Sequence, residues 1–136
     1  MRFEVRYFSK GGNTKKLADA IAGELGISAA PTTSPLEEKA EILFLGSSVY
    51  AGSPNQEVTD FIKKNAPYIG KIVCFGSSAS GKSTYEKIKK SAEDNHVDVA
   101  PEFSHCPGKF LWMHKGRPNQ QDFDDIVRFA RQVIKE

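Results

Sequence analysis

One repeated order constrains the fold of this chain more than any other feature: a short apolar run, then glycine and small polar residues, then apolar residues at helical spacing. Residues 3–8 are rich in β-formers, and over residues 14–25 Leu17, Ile21 and Leu25 fall on one stripe, with Gly26 as a stop. A second run, Ile42-Leu43-Phe44-Leu45 within residues 41–46, is followed after a loop by Val58, Phe61 and Ile62 at helical intervals. There Ser53-Pro54-Asn55-Gln56 offers a cap residue, a proline at the first helical position and a Gln at the capping-box position. A third run, Ile72-Val73-Cys74-Phe75, leads to Tyr85, Ile88 and Ala92, with Ser83 and Glu86 at capping-box spacing.

Near the end, Phe123, Ile126, Val127, Ala130, Val133 and Ile134 form the strongest helical stripe, with Asn119 as its cap. Residues 27–31 read as a short edge strand, and residues 97–105 contain a strand near 99–103 despite Pro101. Residues 32–39 and 104–118 read as connections, the second long and irregular. Parallel strands need a crossover to return the chain, so this alternation predicts an α/β fold, a three-layer doubly wound parallel sheet covered on both faces.

A length of 136 residues fits one domain spanning 1–136. With 39% hydrophobic and 26% charged residues, the chain has material for a core and lacks the charge excess of a disordered polymer. No apolar run approaches the ~20 residues of a membrane-spanning helix, so no membrane insertion is expected. Met1-Arg2-Phe3-Glu4-Val5 enters the strand pattern at once, which points to the cytoplasm. Cys74 and Cys106 are too few for a disulfide scaffold and read as buried free thiols. The net charge of +2 is dispersed, and Lys87, Lys89 and Lys90 read as a solvated helix face, so no nucleic-acid partner is expected.

Ligands of open α/β sheets bind beyond the carboxyl ends of the strands, where strand order reverses. The three clearest strands lead into Ser9-Lys10-Gly11-Gly12-Asn13-Thr14, Ser47-Ser48-Val49-Tyr50-Ala51-Gly52 and Gly76-Ser77-Ser78-Ala79-Ser80-Gly81. The first opens directly into a helix, so its amides and the helix dipole form an anion site, and Ser9, Asn13 and Thr14 add side-chain donors. A plain strand-to-helix turn would also want Gly and an Asn or Thr cap.

The segment Ser9-Lys10-Gly11-Gly12-Asn13-Thr14 resembles the flavodoxin phosphate loop, with Gly11 where that family usually carries threonine. Gly46 through Pro54 is similar to the family's second flavin-contacting loop, and Cys74 through Gly81 falls where the third would be. Residues 108–119 and the helix after them resemble the tails of the shorter flavodoxin-domain proteins. The resemblance implies strand order 2-1-3-4-5 and noncovalent FMN with a one- or two-electron redox role. It also implies that Ser9, Lys10, Gly11, Gly12, Asn13 and Thr14 hold the phosphate. Ser48, Val49, Tyr50, Ala51 and Gly52 would border the isoalloxazine, with Tyr50 either stacked on it or an ordinary half-buried aromatic. Ser77, Ser78 and Gly81 would close the other side. Backbone groups of Tyr50, Ala51 and Gly52 would meet the flavin at N5.

No protein acid, base or nucleophile is then required, because the flavin supplies the redox chemistry. An electron carrier is the first reading and a small flavin-dependent oxidoreductase the second, the partner being a redox protein or a small acceptor. Phe110, Trp112 and Met113 would line a reductase pocket. The three loops contain no Asp or Glu, whereas Lys10, Lys15 and Lys82 lie in or beside them, which predicts a less negative potential than in acidic relatives.

Two other readings stand beside this one. Residues 76–83 satisfy the phosphate-loop pattern of nucleotide triphosphatases, with Lys82 and Ser83 at its Lys and hydroxyl positions. Against it, no other apolar strand ends in an Asp for magnesium, and capping explains Ser83 with Glu86. A flavodoxin-like domain that has lost its cofactor and serves as a binding module is the third possibility. His96, His105 and His114 with the two cysteines lack metal-ligand spacing.

Overall fold

The computed structural model describes residues 2–8, 12–50, 53–54, 56–77, 81–106 and 119–135. Five parallel strands form the sheet: β1 (Phe3–Phe8), β2 (Ala30–Pro31), β3 (Ile42–Tyr50), β5 (Lys71–Ser77) and β6 (Asp98–Cys106). Their spatial order is β2-β1-β3-β5-β6, which is 2-1-3-4-5 once the two-residue antiparallel strand β4 (Ser53–Pro54), paired only with β3, is set aside. Helices α1 (Asn13–Leu25), α2 (Gln56–Asn65), α3 (Gly81–Asp94) and α4 (Gln120–Ile134) follow β1, β4, β5 and β6, and a 3-10 turn covers Ala66–Tyr68. The fold is therefore the doubly wound α/β sheet that the alternation predicts.

Period-2 alternation in β3 divides the core. Phe44 joins Val5, Val73 and Phe75 beneath α1 and α4, whereas Leu43 and Leu45 join Ile72 and Cys74 beneath α2 and α3. The predicted stripe residues Leu17, Ile21, Val58, Phe61, Ile62, Ile88, Ile126 and Ala130 are all buried in these two cores. Gly26 ends α1 in the left-handed conformation, and Asn119 caps α4.

Several expected boundaries are corrected. The second strand does not stop at Gly46. It runs through Ser47, paired with Phe8 on one side and Gly76 on the other, and ends at Tyr50 against β4. Ser53 and Pro54 are strand residues, so they do not cap α2, which begins at Gln56. Likewise Ser83 lies inside α3, which begins at Gly81, so the capping reading of Ser83 and Glu86 is set aside. The supposed loop residues Gly76 and Ser77 belong to β5, and Ser104 to Cys106 belong to β6, leaving a shorter final connection. In each strand case small or polar residues of low strand propensity are held by backbone pairing to a neighbouring strand. Pro101 is accommodated on the sheet edge by a register shift, β6 advancing from Val99 to Phe103 while β5 advances from Ile72 to Cys74.

The connection between β2 and β3 has no helix and is held by polar side chains. Arg6, only 8% exposed, donates to the carbonyls of Ser34 at 3.0 Å and Pro35 at 3.3 Å and to Glu4 Oε1 at 2.9 Å. Buried Asn65 accepts from the Leu36 amide at 3.0 Å and donates to the Phe61 carbonyl at 3.0 Å. Irregular backbone laid on a sheet must find such partners, because an unpaired buried polar group costs about 1–3 kcal/mol.

Candidate functional site

The register aligns the ends of the central strands. Phe8 of β1 pairs with Ser47 of β3, Ser47 with Gly76 of β5, and Gly76 with His105 of β6. All of these strands are parallel, so the segments after β1, β3 and β5 leave one edge of the sheet. That edge contains the switch point, where the chain moves from β1 outward to β2 on one side and to β3 on the other.

Of the predicted phosphate-binding residues, Ser9, Lys10 and Gly11 lie outside the described residues. Gly12 is the N-cap of α1 at φ 84° and ψ −7°, a left-handed conformation that L side chains rarely adopt, and its carbonyl accepts from the Lys16 amide at 3.1 Å. Among the described residues α1 has no side-chain cap hydrogen bond, and its first turn carries no acidic residue. Asn13 and Thr14 are its first two residues. Thr14 is fully buried, and its Cγ2 would lie 2.9 Å from a Cβ built on Gly46, a position such a Cβ would also contest with the Phe75 ring.

Ser48, Val49 and Tyr50 form the end of β3, with Ser48 paired to Ser77 and the last two turned back onto β4. Ala51 and Gly52 between them lie outside the described residues, as does Ser78. Ser77 ends β5 and Gly81 opens α3. The backbone thus brings Gly12, Asn13, Thr14, Ser48, Val49, Tyr50 and Ser77 to the same edge, with Gly81 entering the next helix.

Two residues not among those predicted help to shape this edge. Ser47 is 1% exposed and central, and a Cβ on Gly76 would stand 2.7 Å from the Ser47 carbonyl oxygen, so the close strand approach requires glycine there. The run of small residues at both strand ends was the available signal. The same contact accounts for Gly76, the first glycine of the nucleotide phosphate-loop pattern, by strand packing alone.

Charge near the edge departs from the sequence expectation in one respect. Lys15 donates to Asp19 at 2.8 Å across one turn of α1, and that hydrogen bond raises its pKa, so this cation is matched by an anion on its own helix. Lys10 lies outside the described residues, and Lys82 is the second residue of α3. Cys74 is a buried free thiol in β5 whose pKa is pushed up to about 12 by burial, leaving it protonated and unreactive at neutral pH. Among the described residues, no helix is long and apolar enough to cross a membrane.

An open parallel sheet with a helix that starts at a glycine N-cap beside its switch point is the architecture of the doubly wound folds that often bind nucleotides and cofactors. The flavodoxin domain family model matches residues 5–109, and the chain belongs to that family, one of flavin-binding electron-transfer domains. Among solved structures it is similar to a flavodoxin from the domain Archaea, with a TM-score of 0.79 and 21% identity over 99% of this chain and 97% of the other. It is also similar to oxidised Flavodoxin 2 from Bacillus cereus, with a TM-score of 0.72 and 17% identity over 99% of each chain. A flavoprotein in complex with FMN from Lactobacillus acidophilus NCFM matches with a TM-score of 0.65 and 17% identity over 76% of this chain and 92% of the other. No curated protein matches the chain.

Proposed function

We propose that this protein binds FMN noncovalently at the carboxyl edge of the sheet and serves as an electron carrier. The observation that carries this reading is the start of α1, where Gly12 caps the helix in the left-handed conformation with no side-chain cap and no first-turn acid. Such an end carries a positive dipole that favours a phosphate and no carboxylate of its own to compete with one. Ser9, Lys10, Gly11, Gly12, Asn13 and Thr14 would hold that phosphate. Ser48, Val49, Tyr50, Ala51 and Gly52 would border one side of the ring system, and Ser77, Ser78 and Gly81 the other. The antiparallel pairing of β3 with β4 supports the second group, because it holds the end of β3 at the same edge, with β4 against α3. The FMN complex of a structural relative supports a mononucleotide.

When bound, FMN supplies the one- or two-electron chemistry, and the protein residues bind it, orient it and set its surroundings. With Lys15 matched by Asp19, any positive bias on the flavin falls to Lys10 and Lys82, and a potential less negative than in acidic relatives is the expected consequence. The test is a visible absorption spectrum before and after adding excess FMN and removing what is unbound. Retained flavin bands are expected. A colourless protein that ignores FMN overturns the proposal.

A further inference from the structure

Gly46 stands where three elements meet. Within β3 it pairs with Tyr7 of β1 on one side and Phe75 of β5 on the other, and two residues after Phe44 it shares the face of the sheet that α1 and α4 cover. A Cβ at this position would overlap Cε2 of the Phe75 ring, and it would stand 2.5 Å from the ring Cζ and 2.9 Å from Thr14 Cγ2. The end of the ring and the Thr14 methyl group therefore take the space that a side chain at 46 would fill. Neither is free to swing aside. Thr14 is fully buried in the first turn of α1, and Phe75 is 3% exposed, in the same core as Leu17, Ala18 and Ile21. Among the described residues α1 has no side-chain cap hydrogen bond, so its first turn depends on packing for its place.

We infer that Gly46 and Phe75 are positioning residues for the first turn of α1: with no side chain at 46, the Phe75 ring lies over β3 beside Thr14 and sets the height of that turn above the sheet. The inference deepens the FMN reading and rests on it for its binding consequence, because that turn is the one assigned to the phosphate. Neither residue touches the ligand in this assignment, and both act through Thr14. The seat works by volume. A methyl group at 46 competes with the end of the ring for one space, so Gly46→Ala spoils the seat by crowding, and Phe75→Leu, which lacks Cε2 and Cζ, spoils it by leaving a void. Made together, the two changes transfer volume from the β5 side chain to the β3 side chain and refill most of the space.

The test follows Gly46→Ala, Phe75→Leu and the double variant in the full chain by amide hydrogen exchange and by fluorescence titration with FMN and with riboflavin, which lacks the phosphate. The Lys16 amide donates to the Gly12 carbonyl at 3.1 Å, closing the first turn of α1. In each single variant its exchange is expected to quicken about tenfold more than exchange at Ala130 of α4. FMN affinity is expected to fall about tenfold while riboflavin affinity holds, and the double variant to bind FMN more tightly than either single variant. Equal quickening at Lys16 and Ala130, equal loss for both flavins, or a double variant as weak as the two losses combined would each overturn the assignment. Should Gly46→Ala fail to fold, the double variant decides: one that folds supports the seat, and one that also fails overturns it. A wild-type protein that binds neither flavin overturns the FMN reading and the binding consequence together, and the exchange results then decide the seat by themselves.

Discussion

Helices α1 and α4 lie side by side and run the same way, since Arg131 near the end of α4 meets Glu24 near the end of α1 at 2.6 Å. Their beginnings are built differently. In α4, Asn119 accepts from the Asp122 amide at 3.0 Å and donates its own amide to Asp122 Oδ2 at 2.8 Å, so cap and carboxylate complete the helix from within. In α1, glycine stands at the N-cap, and neither a side-chain cap nor a first-turn acid is present among the described residues. A helix end with its own carboxylate is stable and closed to anions, whereas one without it is less stable and open to them. Under the FMN proposal, stability and binding fall to different helix starts on the same face of the sheet.

The change expected to strain this comparison most is Gly12→Val. A Cβ there meets nothing within 4 Å, so its effect would come from the backbone at φ 84°. It is expected to cost about 1–2 kcal/mol in chemical denaturation and to weaken FMN binding roughly 100-fold in a fluorescence titration. Wild-type affinity in this variant would break the comparison.

Asn13→Asp sharpens it by giving α1 the first-turn acid that α4 has. Stability should rise by about 0.3–1 kcal/mol while FMN affinity falls about tenfold. Movement of both in the same direction would contradict the division of roles. The reverse experiment, Asn119→Ala, should remove about 1 kcal/mol of stability and leave FMN affinity unchanged.

The smallest effect extends the comparison to the other helix ends. α1 closes with Gly26 at φ 72°, and α3 closes with His96 at φ 61°, in matching patterns in which Ile27 donates to Ala22 and Val97 to Ala92. Replacing His96 with glycine should stabilise the fold by about 0.5 kcal/mol, measured by thermal unfolding. A loss would mean that the His96 side chain contributes more than its backbone strain costs.

Residues whose role is local were legible in the sequence. Leu17, Ile21, Val58, Ile62, Ile126 and Ala130 sit in the cores that their spacing implied, and Asn119 caps the helix it precedes. Gly12 was legible as part of a glycine turn into a helix, though its left-handed conformation was not. The ends of β3, β5 and β6 were misread because Gly46-Ser47-Ser48, Gly76-Ser77 and Ser104-His105-Cys106 have the composition of loops. They are strands because a parallel neighbour is already in place to pair with them. Ser53-Pro54 failed for the same reason: its cap-like order was overruled by pairing with Val49 and Tyr50.

The sequence by itself determined the alternation of strand and helix, the faces that the helices bury and the glycine-bearing entry to α1, because each is a matter of spacing within a few residues. Only the tertiary structure decided that Gly76 must lack a side chain beneath Ser47 and that Arg6 holds the carbonyls of Ser34 and Pro35. It also decided that Thr32 reaches Glu57, 25 residues away. These contacts depend on strand register and on elements meeting across the sheet, and local periodicity carries no record of which distant residues the packed sheet will bring together.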